Sequence, residues 1–188
     1  MKEYPVTVIH NGINTDIFRP SDGTALRASL GLTGKRVILG VAALWEKRKG
    51  LDDFVALSGM LSDRERIVLV GLSERQIQGL PPAILGLPRT NSAQELAALY
   101  AMSDVYANPT YEDNYPTTNL EAIACGTPVV TYATGGSPES AVLYGASVPK
   151  GDLNALLDAL RRSYEPSEGA KPSCLDAASA LQAYLLLY

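Results

Sequence analysis

The chain has 188 residues, of which 46% are apolar, and this composition indicates one folded domain, not a disordered segment. Its 16 basic and 20 acidic residues leave a net charge of -4, so no broad positive field is available to hold a nucleic acid or an anionic membrane. The two cysteines lack CxxC spacing and His10 is the single histidine, which argues against a metal site and against a serine–histidine triad.

Short runs rich in valine and isoleucine recur along the chain, and each precedes a segment with helical periodicity. This alternation predicts βα units and therefore a single Rossmann-like α/β/α domain over residues 1–188, with three layers and a parallel sheet of about six strands. Residues 1–20 are expected to hold an interdomain linker and the first strand. The predicted strands are 6–10, 36–41, 66–70, 105–108 and 128–132, with a shorter candidate around Ile84 and Leu85.

The helices between these strands have recognisable ends. Thr118-x-x-Glu121 matches the capping box that begins a helix, and Gly126 is expected to end that helix in a left-handed conformation. Residues 173–188 are expected to form a last amphipathic helix after a polar linker at 166–172. Further helix starts are predicted near Leu51, Ser92 and Asp152.

The loop after residues 36–41 carries three consecutive cations, Lys47, Arg48 and Lys49, just before the helix that begins near Gly50. Ligands bind open parallel sheets at the carboxyl ends of the strands, which is where this loop belongs. Cations oppose the positive end of a helix dipole unless an anion lies between them, so the arrangement favours a phosphate site. A solvated charge run is the alternative interpretation.

The loop after residues 105–108 reads NPTYEDNYPTTNLEA and leads into the helix that contains Glu121. Its backbone N–H groups at 114–118 are expected to face an anion at the start of that helix. The acidic side chains of Glu112, Asp113 and Glu121 suit sugar hydroxyls or a developing positive charge better than phosphate. For Glu121 the alternative is a purely structural role in the capping box.

A third loop, TGGSPES, follows the strand at 128–132. Gly135 and Gly136 permit a close approach of the backbone to a ligand. Ser137 can cap the next helix, and Pro138 suits its first position. This loop is a further candidate contact for a phosphate or a sugar.

Four blocks of sequence carry a family resemblance when they are taken in this order: HNGINTDIFRP, KRKGLDDF, the long block at 92–140, and VPKGDLNALLDAL. They resemble the C-terminal, donor-binding domain of the retaining GT-B glycosyltransferases of the family 4, or group 1, type. The resemblance covers nearly the whole chain. It implies one half of a GT-B fold that binds a nucleoside diphosphate sugar, with an N-terminal acceptor-binding domain that is absent from this chain.

The resemblance implies roles for charged residues. Lys49 matches a family lysine that contacts the diphosphate, but the family's second cation, an arginine after the glycine at the strand end, is missing after Gly40, and Arg48 and Lys47 are the candidates to replace it. The family's two acidic residues have the spacing of Asp113 and Glu121, and Glu112 is the alternative for the first. Glu121 would hold the ribose hydroxyls. The other implied donor contacts are Asn114, Tyr115, Pro116 and Thr117 under the diphosphate and sugar, the pair Gly135 and Gly136, and Leu87 and Arg89 beside the base.

The implied reaction is transfer of a glycosyl group from a nucleoside diphosphate sugar to an acceptor with retention at the anomeric carbon, in bacterial polysaccharide or lipopolysaccharide biosynthesis. No metal or other cofactor is expected, because Lys49 would stabilise the leaving diphosphate electrostatically. The chain alone is expected to be inactive, since half of the cleft is missing.

The sequence predicts a cytoplasmic protein without a transmembrane segment, although the parent enzyme would contact the inner face of the membrane if its acceptor is a lipid. Two other functions are weighed against the transferase. An NAD-dependent oxidoreductase lacks support because the G-x-G-x-x-G turn is absent from the sequence. A non-catalytic module that binds a nucleotide or nucleotide sugar stays open.

Overall fold

The structure is a computed structural model and describes residues 6–187. A six-stranded sheet lies at its centre, with the strand order β3-β2-β1-β4-β5-β6 and parallel pairing between all neighbours. The Rossmann-like α/β architecture predicted from the sequence is therefore confirmed. The strands are β1 (Arg36–Val41), β2 (Glu65–Val70), β3 (Ile84–Leu87), β4 (Val105–Asn108), β5 (Val129–Tyr132) and β6 (Gly145–Val148).

Helices follow most of the strands and cover both faces of the sheet. They are α1 (Thr24–Ser29), α2 (Leu51–Ser58), α3 (Glu74–Gln78), α4 (Ala93–Ala101), α5 (Thr117–Ala124), α6 (Ser137–Ala141), α7 (Leu153–Leu160), α8 (Pro172–Leu175) and α9 (Ala177–Leu185). Short 3₁₀ turns lie at Lys47–Lys49 and Glu168–Ala170. None of the helices within residues 6–187 combines the length and apolar character needed to cross a membrane.

The strands are rich in valine and isoleucine because both faces of the sheet are buried. Successive side chains point to opposite faces, so Val37 and Leu39 of β1 pack into one core with α4 and α5. Ile38, between them, packs into a second core with α2 and α7. The sheet is thus the middle of three layers, and its carboxyl-terminal edge is left for the loops.

The prediction of a strand at residues 6–10 was wrong. These residues have no regular structure, and Val6 and Val8 are 86% and 73% exposed. The backbone first pairs with the rest of the fold at Ile13, whose N–H donates to the Leu175 carbonyl at 2.8 Å. An alternating apolar run indicates a strand only where a partner strand is available, and the outer positions of this sheet are taken by β3 and β6.

Strand β6 is the one that the sequence analysis missed. Its four residues are Gly-Ala-Ser-Val, so it carries neither the length nor the β-branched content that marks the other strands. Gly145 pairs with Val129, and a Cβ at Gly145 would lie 1.8 Å from the Val129 carbonyl oxygen. A glycine at this place allows the close approach of the neighbouring strand, which is a signal that only the structure explains.

Three expectations about helix ends also need correction. Helix α5 begins at Thr117 after Pro116, without a side-chain cap, so Thr118 and Glu121 do not form a capping box. Helix α6 begins at Ser137, with Gly136 before it, so Ser137 is not the cap. Residues 173–188 do not form one helix, because the extended backbone of Asp176 (φ -73°, ψ 139°) separates α8 from α9, and Tyr188 lies outside the described residues.

Other helix ends agree with the sequence analysis. Ser92 Oγ accepts a hydrogen bond from the Glu95 N–H at 3.1 Å, and Asp152 Oδ1 accepts one from the Ala155 N–H at 2.9 Å. Gly126 has a φ of 84°, which is the left-handed conformation predicted for the end of α5. Side-chain caps and glycine stops are local features, so they can be read from local sequence.

Glu65 at the start of β2 forms an ion pair with Arg161, the residue after α7. This ion pair predicts that the free energy of unfolding depends on pH. Arg161 Nε and a second guanidinium nitrogen donate to the two Glu65 oxygens, each at 2.7 Å, and these bonds lower the pKa of Glu65 from 4.5 to about 2. Glu65→Gln is expected to cost about 2 kcal/mol of unfolding free energy at pH 7.

The sign of the pH dependence follows from the lowered pKa. Stability from this pair is fully present above the unfolded pKa of 4.5 and is lost as the pH falls through the folded pKa of about 2. Urea unfolding of the native chain and of Glu65→Gln at several pH values measures the difference, with the exposed Glu165→Gln as control. A difference that stayed constant from pH 7 to pH 2 would show that the ion pair is not its source.

Candidate functional site

The site lies between β1 and β4, at the point of the sheet where the chain after β1 continues to one side and the chain after β4 continues to the other. On one side β1 pairs with β2, and on the other side it pairs with β4. The loops that follow β1 and β4 therefore border a crevice at the carboxyl ends of the strands, the usual ligand position in an open α/β sheet. The sequence analysis placed its two richest motifs in these two loops.

The loop after β1 is locked to the loop after β4. The Tyr111 N–H donates to the Arg48 carbonyl at 2.7 Å, and Thr110 Oγ1 donates to the same oxygen at 3.2 Å. Gly50 has a φ of 74°, and a Cβ there would lie 2.3 Å from the Pro109 carbonyl oxygen. Only glycine fits this contact, so the cationic turn has a fixed position against the loop after β4.

The loop after β5 is packed against the same loop from the other side. A Cβ at Gly135 would lie 1.8 Å from the Asp113 carbonyl oxygen, and one at Gly136 would lie 2.0 Å from the Asn114 carbonyl oxygen. Thr134 Oγ1 also donates to the Thr110 carbonyl at 2.8 Å. The close approach that these glycines allow is thus to the loop itself, and their predicted contact with a ligand stays a prediction.

Of the three consecutive cations, Lys49 is the one that reaches the loop after β4. Its Nζ lies 2.6 Å from Asp113 Oδ2, and the two side chains are 23% and 18% exposed. Arg48 instead pairs with its neighbour Glu46 at 3.0 Å, where both side chains are about half exposed, and Lys47 is exposed. The structure therefore holds the Lys49 ammonium group in a defined position, while Arg48 and Lys47 are exposed to solvent.

The same geometry distinguishes the two acidic residues of the loop. Asp113 is half-buried and holds Lys49, whereas Glu112 is exposed and contributes its backbone carbonyl to Thr110 Oγ1 at 3.0 Å. Asn114 and Thr117 are exposed at the start of α5, and Pro116 is buried there. Helix α5 begins four residues after Asp113, and the N–H groups at the start of a helix are the donors that an anion site requires.

A cavity of about 490 Å³ opens at the carboxyl ends of β1 and β2. Thr118 and Glu121 of α5 line one wall, and Arg89 lines another. Leu87 does not line this cavity; it borders a neighbouring apolar groove to which Arg89 also belongs. The remaining lining residues are Phe18, Val41, Ala42, Ala43, Val70, Gly71, Thr90, Asn91, Ser92, Ala93 and Leu96.

Glu121 is the acidic side chain of this cavity. Burial raises the pKa of its carboxyl, and a hydrogen bond from the Tyr100 hydroxyl at 3.0 Å acts in the opposite direction. Because Glu121 takes no part in a capping box, the structural alternative considered for it is wrong. A partly desolvated carboxylate at a cavity wall is well suited to accept hydrogen bonds from ligand hydroxyls.

Two neighbours of the site, Tyr100 and His10, were not identified from the sequence. Tyr100 contacts Glu121, and its place seven residues after Ala93 on one helix face was the available signal. Tyr115 stacks on His10 with ring centroids 4.3 Å apart, and His10 Nε2 lies 2.9 Å from a Glu139 carboxylate oxygen. No local pattern links His10 to positions more than a hundred residues away, so this contact could not be predicted.

Comparison with known proteins agrees with this geometry. Residues 35–165, more than half of the chain, match the family described as glycosyl transferases group 1. A D-inositol 3-phosphate glycosyltransferase of Mycobacterium sp. (strain KMS) is 29% identical over 165 residues, which cover 81% of this chain and 36% of that protein.

Solved structures show the same relationship. Sucrose-phosphate synthase from Thermosynechococcus elongatus superposes with a TM-score of 0.72 and 27% identity, over 95% of this chain and 51% of its own. HepE from Anabaena, solved in complex with UDP-glucose, superposes with a TM-score of 0.70 and 22% identity, over 94% of this chain and 52% of its own. The chain thus spans about half of each structure and about a third of the mycobacterial relative. It belongs to the group 1 glycosyltransferases and has the fold of a GT-B domain.

Proposed function

We propose that this chain binds the nucleoside diphosphate sugar of a retaining, metal-independent glycosyltransferase. The observation that carries the proposal is the position of helix α5. Helix α5 begins four residues after Asp113, the partner of Lys49, and its residues Thr118 and Glu121 line the cavity. One helix thus offers N–H groups for a diphosphate and a carboxylate for a ribose.

The proposed chemistry breaks the bond between the anomeric carbon and the diphosphate oxygen and forms a bond from that carbon to an acceptor hydroxyl oxygen, whose proton passes to the leaving diphosphate. The diphosphate leaves with the electron pair, and negative charge builds on it while positive charge builds on the sugar. Lys49 and the first N–H groups of α5 stabilise the leaving diphosphate, which is the contribution that a metal ion makes in other transferases. Asp113 holds the ammonium group, and we propose that it also faces the sugar.

The acceptor is assigned to a separate domain. The chain spans about half of each similar structure, and we propose that acceptor binding belongs to a region like the other half. UDP-glucose, the ligand named for HepE, supports a nucleotide sugar as the class of donor. We therefore propose donor binding by this chain alone and glycosyl transfer only together with an acceptor-binding domain.

Calorimetric titration with UDP, GDP, ADP and UDP-glucose tests the proposal. One nucleoside diphosphate is expected to bind in preference to the others, with equal affinity in EDTA and in Mg²⁺ because no metal takes part. Binding that requires Mg²⁺ would contradict the metal-independent site. A chain that binds none of the four ligands would contradict the donor-binding function itself.

Asp113→Asn is expected to raise the affinity for UDP about fivefold, since the charge that repels the diphosphate and occupies Lys49 is removed. UDP-glucose should gain less, because Asp113 is proposed to face its sugar. Titration of both ligands measures the two changes, and Glu112→Gln in the same loop is the matched control. If Glu112→Gln produced these changes and Asp113→Asn did not, Glu112 would be the first acidic residue of the site.

A further inference from the structure

Tyr100 lies beside Glu121 and is held rigidly by its surroundings. Its side chain is 0% exposed, and its ring packs edge-on against Phe18 and Tyr106 at centroid distances of 6.2 and 5.4 Å. Its carbonyl accepts a hydrogen bond from Thr127 Oγ1 at 2.7 Å. Complete burial against two neighbouring rings restricts the direction of the hydroxyl group.

The helix that carries Tyr100 also shapes the cavity. Ala93 and Leu96 lie seven and four positions before Tyr100 on one face of α4, and both line the cavity that contains Glu121. The Tyr100 hydroxyl extends from the same face to Glu121 Oε2 at 3.0 Å. Helix α4 therefore supplies a wall of the cavity and a fixed donor to its carboxylate.

A carboxylate needs a defined orientation to hold a ligand hydroxyl. Tyr100 occupies Oε2 of Glu121, which leaves Oε1 for a ligand in the cavity. The same hydrogen bond lowers the pKa of Glu121 against the opposing effect of burial, so it also favours the charged form. Charged acceptors form shorter and stronger hydrogen bonds with hydroxyl groups than neutral ones do.

We propose that Tyr100 is a positioning residue that orients Glu121 toward the ribose, and that this pair makes the site select ribonucleotides over nucleotides without ribose hydroxyls. The proposal rests on the donor site proposed above and adds to it the residue that acts through Glu121. Tyr100 itself touches no substrate in this arrangement. The effect of Tyr100 on affinity is therefore confined to ligands whose ribose hydroxyls can donate to Glu121.

Titration of native chain and Tyr100→Phe with UDP and with 2′,3′-dideoxy-UDP tests this role. The variant is expected to lose about fivefold in affinity for UDP and to keep its affinity for the dideoxy analogue. The lost hydrogen bond to charged Glu121 affects only a ligand whose ribose hydroxyls bind Glu121. Tyr132→Phe is the matched control, because Tyr132 is equally buried and its hydroxyl lies near Asp53, not near Glu121. An unchanged preference for UDP in Tyr100→Phe overturns the proposal.

A second measurement needs no nucleotide. In the unliganded protein, NMR titration of the Glu121 side-chain carboxyl should show a higher pKa in Tyr100→Phe than in native chain or in Tyr132→Phe. An unchanged pKa overturns the proposed contact. If the native chain binds neither UDP nor GDP, both the proposed function and the ribose assignment are overturned. If it binds and Tyr100→Phe keeps the same preference for ribose, only the role of Tyr100 is overturned.

Discussion

Lys49→Ala is expected to weaken the binding of UDP about a hundredfold, because it removes one partner of a largely desolvated contact between opposite charges. The Lys49 side chain is 23% exposed and its Nζ lies 2.6 Å from Asp113 Oδ2. Removing the ammonium group therefore also leaves the Asp113 carboxylate without its cation, close to the place proposed for the diphosphate. Both effects act against an anionic ligand.

Calorimetric titration measures the loss, and Lys35→Ala is the control. Lys35 carries the same charge but lies before β1, at the opposite edge of the sheet, where its ammonium group donates to the Asp63 carbonyl. The double variant Lys49→Ala/Asp113→Asn is expected to recover about tenfold of the lost affinity, because contacting residues are not additive. If Lys49→Ala bound UDP with native-like affinity, the diphosphate would not bind at this loop.

The features that the sequence predicted well are those that depend on local chemistry. Strands β1, β2, β4 and β5 were predicted close to their observed bounds, since their buried faces require continuous apolar runs. Lys49 and Glu121 were predicted to lie at one edge of the sheet because their loops follow strands, and their roles as site residues stay predictions. The choice of Lys49 over Arg48 as the positioned cation, in contrast, depends on which side chain faces Asp113.

The features that the sequence did not reveal depend on contacts between distant segments. The run at 6–10 has the alternation of a strand but lies outside the sheet, and the short β6 has no such alternation but lies inside it. Thr118 and Glu121 have the spacing of a capping box, yet the helix begins one residue earlier and Glu121 is held by Tyr100 of another helix. The spacing of residues in the sequence limits which local contacts are possible, and packing between distant segments determines which of these contacts form.

Gly135→Ala is expected to lower the unfolding free energy by about 3 kcal/mol, because two costs combine at this position. Its φ of 50° lies in the left-handed region, and an added Cβ would lie 1.8 Å from the Asp113 carbonyl oxygen. That contact is with backbone, so it can be relieved only by moving the loop that carries Asp113. The affinity for UDP should fall with the stability, since Lys49 is placed by the same loop.

Gly34→Ala separates the two costs. Gly34 has a φ of 73° and open space around its missing Cβ, so alanine there carries only the strain of a left-handed backbone, about 1 kcal/mol. Urea unfolding of both variants, with UDP titration of each, compares them. Equal stability of the two variants combined with a loss of UDP binding only in Gly135→Ala would mean that Gly135 makes room for the ligand and not for the loop. A larger loss of stability in Gly135→Ala would instead assign the two-glycine turn to holding the loop of Asp113 in place.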